Sequence, residues 1–390
     1  MEPKYSIRIN AIKRYLSGDK PSSIYKPICK SKQWLWYWIN RYDPHNPNWY
    51  KNRSNSSKPT HNKIDSGIEQ LICNIRKRLE NTKYSQVGPL TIQWELKKLG
   101  VHQIPHSRTI SRVLKRNDLV KDPKKYEKRN KLYPEIKPRG PNVLHQLDLV
   151  GPRYLGKGKQ NKFYSFHLID AYSNAVKIKP YLGKRDVFVK DLLVCTWQTL
   201  GIPWYVQFDN ELSFRGSNRY PRTFGEVIKL CLYVGVEPIF VPESEPWRQG
   251  IIERFNDVYD KTFFRSQFFE NFEHLREESA VFEQFHNQNH RYSKLNGRTP
   301  WVIHTTVSRR LIPKSDHLQE KAIPFTDGKV SFVRLTDHRG CARFFTETFE
   351  VDKDLQYQYV KGTIDTKTNL LEFHYDNRII KVYGYKVNKR

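Results

Sequence analysis

The chain has 390 residues and a net charge of +28, and its 38% hydrophobic and 14% aromatic side chains suffice for packed cores and exclude wholesale disorder. No run of 18 apolar residues occurs and charges are scattered through residues 1–20, so the sequence predicts neither a membrane span nor a secretion signal. Cys29, Cys73, Cys195, Cys231 and Cys341 lie far apart, form no CxxC pair and lack histidines at zinc-ligand spacing, which reads as reduced thiols in the cytosol.

Charge is uneven along the chain. Residues 1–140 hold 31 Lys/Arg against 11 Asp/Glu, a net of +20, whereas the remaining 250 residues hold 37 against 29, only +8. Such asymmetry predicts that the N-terminal third meets a polyanion through salt-sensitive contacts to phosphates. A membrane surface fits less well, because the apolar faces of these segments are needed for cores. Nucleic acid is the expected partner.

Residues 6–42 read as three short helices. Ile7, Ile9, Ile12 and Leu16 form a stripe that stops at Gly18, Pro21 to Ser23 start a second helix, and Ser31 caps a third from Lys32 to Tyr42. Trp34, Trp36 and Trp38 read mainly as its core. Three helices with a short turn before the last have the helix-turn-helix pattern, so residues 1–45 are expected to form a first DNA-binding unit. A plain helical bundle is the bland alternative. Residues 46–66, rich in Pro, Asn, Ser and Lys, read as a linker. A second helix-turn-helix unit is expected over 67–120, with helices Ile68–Glu80, Leu90–Leu99 and Thr109–Arg116, the last capped by Ser107. Residues 121–142 hold eight basic and three acidic residues and read as a proline-bearing tether along a phosphate backbone, or as a solvated linker. Lys32, Arg41, Arg108, Arg112, Lys124 and Lys125 are the candidate DNA contacts of these regions.

From residue 143 the pattern switches to strands. VLHQLDLVG, FYSFHLIDAYS and NAVKIKPYL read as a meander, followed by a helix from Asp186, a strand WYVQFDN, a helix Thr223–Val234, a strand EPIFVP and helices from Gln249 to about Gln288. Three antiparallel strands followed by alternating helices and strands is the element order of a ribonuclease-H-like α/β core, a mixed five-stranded sheet with helices, expected over 143–312. Alternating runs over 325–390 predict a small SH3-like β-barrel.

Three carboxylates carry the chemistry. Asp148, Asp209 and Glu253 stand in HQLDLVG, YVQFDNE and EPWRQGIIERFN, the first two at short apolar strands and the third on the first turns of a helix opened by Pro246 and Trp247. Strands deliver side chains to a sheet edge, and a helix crossing that edge adds another. Converging acidic oxygens repel one another unless cations hold them, and Mg²⁺ is commonly held by one or two carboxylates plus substrate phosphates. The pattern therefore points to phosphoryl transfer. Singly, each acid has an ordinary reading as a satisfied strand residue, a turn or a surface helix pair; together, in order, they point to one site. His145 and His167 flank the strand carboxylates and read as sheet or surface residues, and Asp170 as a turn residue.

This constellation resembles the DDE transposases of the retroviral-integrase superfamily, bacterial insertion-sequence transposases above all. Leu147 to Gly151 match the family's first-strand Asp motif, Asp209-Asn210 its "DN", and Pro246, Gln249-Gly250, Glu253 and Asn256 its third motif. Two departures stand out. Glu211 replaces the Gly that often follows "DN", and the 43 residues between Asp209 and Glu253 exceed the family's usual spacing, an excess that fits a polar insertion at 215–222. Glu211 is expected to be a loop residue rather than a ligand.

The resemblance implies a transposase that binds its element's terminal repeats and performs end cleavage and strand transfer into target DNA. Two Mg²⁺ ions, replaceable by Mn²⁺, would be held by Asp148, Asp209 and Glu253, with Asp148 bridging both. It also implies DNA contacts at Asn210, Gln249, Arg254, Asn256 and Lys261, a homo-oligomer on synapsed double-stranded ends, no membrane association, and a cytoplasmic, nucleoid-associated bacterial protein. The competing reading is a catalytically inactive DNA-binding regulator derived from such an element. A ribonuclease-H-type nuclease is a third, against which the tandem N-terminal units argue.

Overall fold

The computed structural model describes residues 3–52, 64–120, 132–156, 161–216, 220–242 and 245–388. The chain divides into two compact units, Met1–Ile64 and Asp65–Arg390. Among the described residues no helix is long and apolar enough to cross a membrane.

The first unit holds α1 (Pro3–Leu16), α2 (Pro21–Tyr25) and α3 (Lys32–Arg41). Ala11, Ile24 and Leu35 are its buried centre, with Tyr15, Tyr25, Ile28, Trp34 and Ile39 packed around them. Ser31 caps α3 by accepting the Trp34 N–H at 3.1 Å. Of the three tryptophans expected in this core, Trp38 is buried, Trp34 half-buried, and Trp36 turns outward. The expected linker begins folded: the Trp49 ring packs edge-on to Trp38 and Tyr42, and Arg8 donates to the Tyr50 carbonyl at 2.6 Å. Two large aromatics in a polar stretch bury area that the composition of the stretch conceals.

The second unit opens with α4 (Ser66–Glu80), α5 (Pro89–Lys98) and α6 (Ser107–Arg116), packed through Ile72, Ile75, Leu79, Ile92, Leu96, Ile110, Val113 and Leu114. Asp65 caps α4, accepting from Gly67 and Ile68 N–H at 2.8 and 3.1 Å. Ser107, the expected cap of α6, is instead its first residue, and His106 Nδ1 accepts the Arg108 N–H at 3.2 Å.

An α/β body follows with a mixed sheet. Its first half is built from β1 (Leu144–Leu155), β2 (Asn161–Asp170), β3 (Val176–Tyr181), α7 (Asp186–Trp197), β4 (Tyr205–Phe208), α8 (Leu212–Arg215), α9 (Glu226–Tyr233) and β5 (Glu237–Phe240). A 3₁₀ turn over Pro246–Gln249 leads into α10 (Gly250–Tyr259), then come α11 (Phe272–Asn289) and α12 (Pro300–His304). β1, β2 and β3 form the antiparallel meander, while β4 and β5 add parallel to β1. Alternation along each strand sends Leu147, Phe166, Leu168, Val206 and Phe208 to the face covered by α7 and α9. Phe163 and Ile169 go to the opposite face, under Ile252, Phe255 and Tyr259 of α10 and Phe282 of α11. Gly151 sits at a bulge in β1 with φ +148°, and a Cβ there would meet the Tyr164 ring at 2.9 Å. After β4, Gly216 lies close against Gly225, where a Cβ on Gly216 would strike the Gly225 backbone at 2.8 Å.

The C-terminal strands β6 (Lys329–Leu335), β7 (Cys341–Phe344), β8 (Glu347–Glu350), β9 (Tyr359–Asp365), β10 (Leu370–Tyr375) and β11 (Arg378–Gly384) do not stand apart from the core. β6 adds parallel to β5 through Ile239↔Ser331 and Phe240↔Phe332, giving one nine-stranded order β11-β10-β9-β6-β5-β4-β1-β2-β3. The β7–β8 hairpin packs over this extension, Phe344 against Phe332 and Phe373, and Phe349 against Tyr383. Two layers filled by aromatic rings, rather than a ladder closed on itself, bury the alternating runs that the sequence presents.

Tyr84, between α4 and α5, ties the α4–α6 bundle to the body. Its ring packs against Phe263, Phe282 and Phe285, its hydroxyl donates to Glu278, and its carbonyl bonds His290 Nε2 at 2.9 Å. Lys83 pairs with the same Glu278 at 2.8 Å. Tyr84→Ala is expected to destabilise the full chain by about 3 kcal/mol or more and to open the α4–α5 connection to protease, with Tyr84→Phe losing only about 1 kcal/mol. Urea unfolding and limited proteolysis check this; wild-type behaviour of Tyr84→Ala would show that the ring is not an anchor.

Candidate active site

Period-two alternation puts Gln146 and Asp148 of β1 and Gln207 of β4, followed by Asp209, on the sheet face covered by α10. Asp148 is directly opposite His167 of β2. Helix α10 starts over these residues, where the Ile252 N–H donates to Gln146 Oε1 at 3.1 Å. Glu253 and Asn256, three apart, share the α10 flank beside Asp148. All three acids are half-buried.

Asp148 is held on both oxygens. Oδ1 accepts the Leu149 N–H at 2.8 Å and Oδ2 accepts Asn256 Nδ2 at 2.6 Å. Because the Asn256 amide donates to Asp148, its Oδ1 faces His167 Nδ1, at 2.7 Å, and that nitrogen must carry the proton. His167 Nε2 is then the acceptor for the Ser165 hydroxyl at 2.8 Å. Complete burial lowers the His167 imidazole to about 4, against the opposing pull of Asn256, so the ring is neutral at pH 7. Asn256, expected as a DNA contact, thus spends its side chain orienting Asp148, and His167 belongs to the site through it. A neutral histidine in a strand carries no sequence signal for such a role.

Burial raises the carboxyl of Asp148 against its two hydrogen bonds. Asp209 is pushed up to about 6 by burial and by the charges of Asp148 and Glu211, with the Glu211 N–H (2.9 Å) and Lys184 opposing. Glu253 is raised by burial, then by Asp148 and Asp257. Asp148 is therefore the shared neighbour of the other two. Among the described residues no Lys, Arg or His forms an ion pair with any of the three, since nearby Lys184 pairs with Glu211 at 2.9 Å. Among the described residues, too, no three His, Cys, Asp or Glu side chains stand close enough to complete a metal cage. Desolvated, mutually repelling carboxylates without a side-chain counter-ion fit hard cations that take a few protein oxygens and complete their shell with water and phosphate.

The remaining candidates separate by exposure. Asn210 is turned inward, donating to the Val241 carbonyl at 2.5 Å and accepting from Arg334 at 2.7 Å. Gln249 is buried, and among the described residues its Nε2 has no partner. Arg254 is exposed, and Lys261 is exposed beside Asp257 at 3.0 Å. Lys32, Arg108 and Arg112 are exposed on α3 and α6, whereas Arg41 donates to the Tyr37 hydroxyl and the Lys51 carbonyl. Lys124 and Lys125 lie outside the described residues. Asp170 is fully buried and accepts from Asn142 N (2.6 Å), Ser173 N (2.6 Å) and Ser173 Oγ (2.8 Å). Burial pushes it up, but His145, His304 and Ser173 outweigh that and hold it at about 2, so it closes a turn. His145 bonds Asn142 Oδ1 at 2.9 Å and takes no part in the site.

The sign of the His167 effect follows from its lowered value. The unfolded chain takes up the proton near 6.5 and the folded chain only near 4, so the stability of burying neutral His167 is present above 6.5 and lost as pH falls through 4. His167→Gln is expected to remove that dependence. The stability gap between wild type and His167→Gln, read by urea unfolding, narrows by on the order of 3 kcal/mol between pH 7 and 4. A gap independent of pH would show that His167 is not buried in its neutral form.

The profile of the integrase core domain matches residues 234–300, the stretch that contains Glu253 and α10. No curated protein matches the chain in sequence. Among solved structures, the catalytic core domain of HTLV-2 integrase in complex with magnesium is 19% identical, covers 43% of this chain and 99% of its own, and superposes with a TM-score of 0.34. The catalytic core of BIV integrase is 17% identical over 42% of this chain and 93% of its own, with a TM-score of 0.32. The simian T-cell lymphotropic virus intasome in complex with the PP2A regulatory subunit B56 gamma is 13% identical over 78% of this chain and 98% of its own, at 0.38. Residues 234–300 of this chain are thus similar to the integrase core domain family.

Proposed function

We propose that the chain is a DDE-class DNA transposase that binds its element's terminal repeats and carries out Mg²⁺-dependent end cleavage and strand transfer. The observation that carries this reading is geometric: β1 and the end of β4 bring Asp148 and Asp209 to the sheet face under α10, and Glu253 stands on the α10 flank whose Asn256 bonds Asp148. In this reading the α/β body has a ribonuclease-H-like core, and α1–α3 and α4–α6 are helix-turn-helix units. The basic N-terminal third and the exposed Lys32, Arg108 and Arg112 support duplex DNA as the partner.

Asp148, Asp209 and Glu253 are the side chains that hold the cations in this reading. Bound divalent ions supply neutralisation of the transferring phosphate and stabilisation of the attacking and leaving oxygens. The chain's own part is positioning. Asn256 and His167 fix the direction of the Asp148 oxygens, so the carboxylate does not reorganise when substrate arrives. Lys184 neutralises Glu211 and draws it away from competition with a substrate phosphate. The raised carboxyls of the cation-free site mean that protons and cations compete for the same oxygens, so activity falls on acidification.

Asp148→Asn, Asp209→Asn and Glu253→Gln are each expected to abolish cleavage of a labelled element end in Mg²⁺ while leaving end binding intact. Cleavage near the wild-type rate would remove that residue from the site. Glu211→Gly is expected to stay within about tenfold of wild type, a barrier change under roughly 1.4 kcal/mol.

End binding by the full chain is expected to weaken steeply with salt. Replacing Arg108 and Arg112 together by Gln reduces the slope of log K against log salt by about 2 if each meets one phosphate. Filter binding over a salt series checks it, and an unchanged slope would exclude this face of α6 from the DNA contact.

A further inference from the structure

Two side chains from the C-terminal strands end on the segments that carry Asp209 and Glu253. Arg334 of β6 is 8% exposed and Tyr359 of β9 is 6% exposed. The Arg334 guanidinium donates to Asn210 Oδ1 at 2.7 Å, to the Val241 and Val333 carbonyls at 3.1 and 2.8 Å, and to the Arg343 carbonyl at 3.2 Å. Asn210 closes the knot by donating to the same Val241 carbonyl, and its own carbonyl accepts Arg215 Nε at 3.1 Å. Asp209 is the next residue, so the peptide that carries it hangs from this knot.

The second contact reaches the turn that precedes Glu253. The Tyr359 hydroxyl stands 2.6 and 2.8 Å from the two Glu245 oxygens, and Glu245 also accepts Arg248 Nε at 2.9 Å. The Arg248 guanidinium lies over the Tyr359 ring at 4.4 Å and the Tyr133 ring at 4.0 Å. Glu245 and Arg248 belong to the turn that feeds α10, with Glu253 on its first turn. The backbone ladder between β5 and β6 spans only two residue pairs. A ladder that short does not fix two loops beyond the strand ends, whereas a guanidinium with five donors and a buried phenol do.

We propose that Arg334 and Tyr359 are positioning residues: the C-terminal strands set the separation of the Asp209 and Glu253 segments and with it the affinity of the site for divalent cations. The proposal rests on the metal-site reading above, and it makes the C-terminal strands part of the active site.

The test uses the full chain, with Mn²⁺ alone as probe in isothermal titration calorimetry, beside Mn²⁺-dependent cleavage of a labelled element end. Arg334→Met keeps the buried stem and removes the donors, Arg334→Lys keeps the charge without the fork, and Tyr359→Phe deletes one oxygen. Arg334→Met and Tyr359→Phe are expected to weaken Mn²⁺ binding by roughly tenfold or more, as loss of a supporting partner does. Their cleavage recovers at saturating Mn²⁺, so the change falls on the cation's KM rather than on kcat. Arg334→Lys is expected between Arg334→Met and wild type. If Arg334→Met fails to fold, Tyr359→Phe decides alone. Wild-type Mn²⁺ affinity in Tyr359→Phe and in any folded Arg334→Met, while Asp148→Asn loses binding, overturns the positioning role and leaves the metal site standing. Absence of Mn²⁺ binding by the wild-type chain overturns both.

Discussion

Like charges that share a desolvated region repel one another, and Asp148, Asp209 and Glu253 are placed against that repulsion by the strands and helix that carry them. Burial and the field of Asp148 raise both Asp209 and Glu253, and burial raises Asp148 itself. In water such groups would separate or bind counter-ions. Here two strands and a helix carry them, and Lys184 is paired with Glu211. That repulsion lowers the stability of the fold, a trade seen where function conflicts with folding.

The contacts that hold the repelling groups come from distant parts of the chain. Asn256 reaches from α10 to Asp148, and His167 of β2 fixes the amide. Arg334 and Tyr359 reach from the last third of the chain to the Asp209 and Glu245 segments. Tyr84 ties a helical bundle with the exposed basic residues of α6 to Phe282 and Glu278 of α11.

Local sequence patterns made part of this legible. Alternation and turn residues delimited β1 to β5, and the placing of Asp148, Asp209 and Glu253 on those strands and on α10 was readable, because strand and helix periods decide which side chains share a face. Capping at Ser31 was legible for the same reason, whereas His106 in place of Ser107 was not, since an imidazole acceptor is a rare cap. Long-range pairing left no mark. Arg334 in KVSFVRL looks like any strand arginine, and its partner Asn210 lies 124 residues away. His167 looks like a sheet residue until Asn256 folds over it. The merging of β6 with β5 depends on two residue pairs that no periodicity encodes, and alternating runs alone read as a separate barrel. Trp49 and Tyr50 hid in a polar stretch that composition assigns to linker.

The claim on which the account stands is that Asp148, joined by Asp209 and Glu253, holds divalent cations. Anomalous scattering at the manganese edge from crystals of the full chain grown with Mn²⁺ tests it directly. The account predicts a manganese peak bonded to Asp148 and to at least one of Asp209 and Glu253, with Asn256 still on the other side of Asp148. A saturating Mn²⁺ structure in which these carboxylates carry no peak would contradict it.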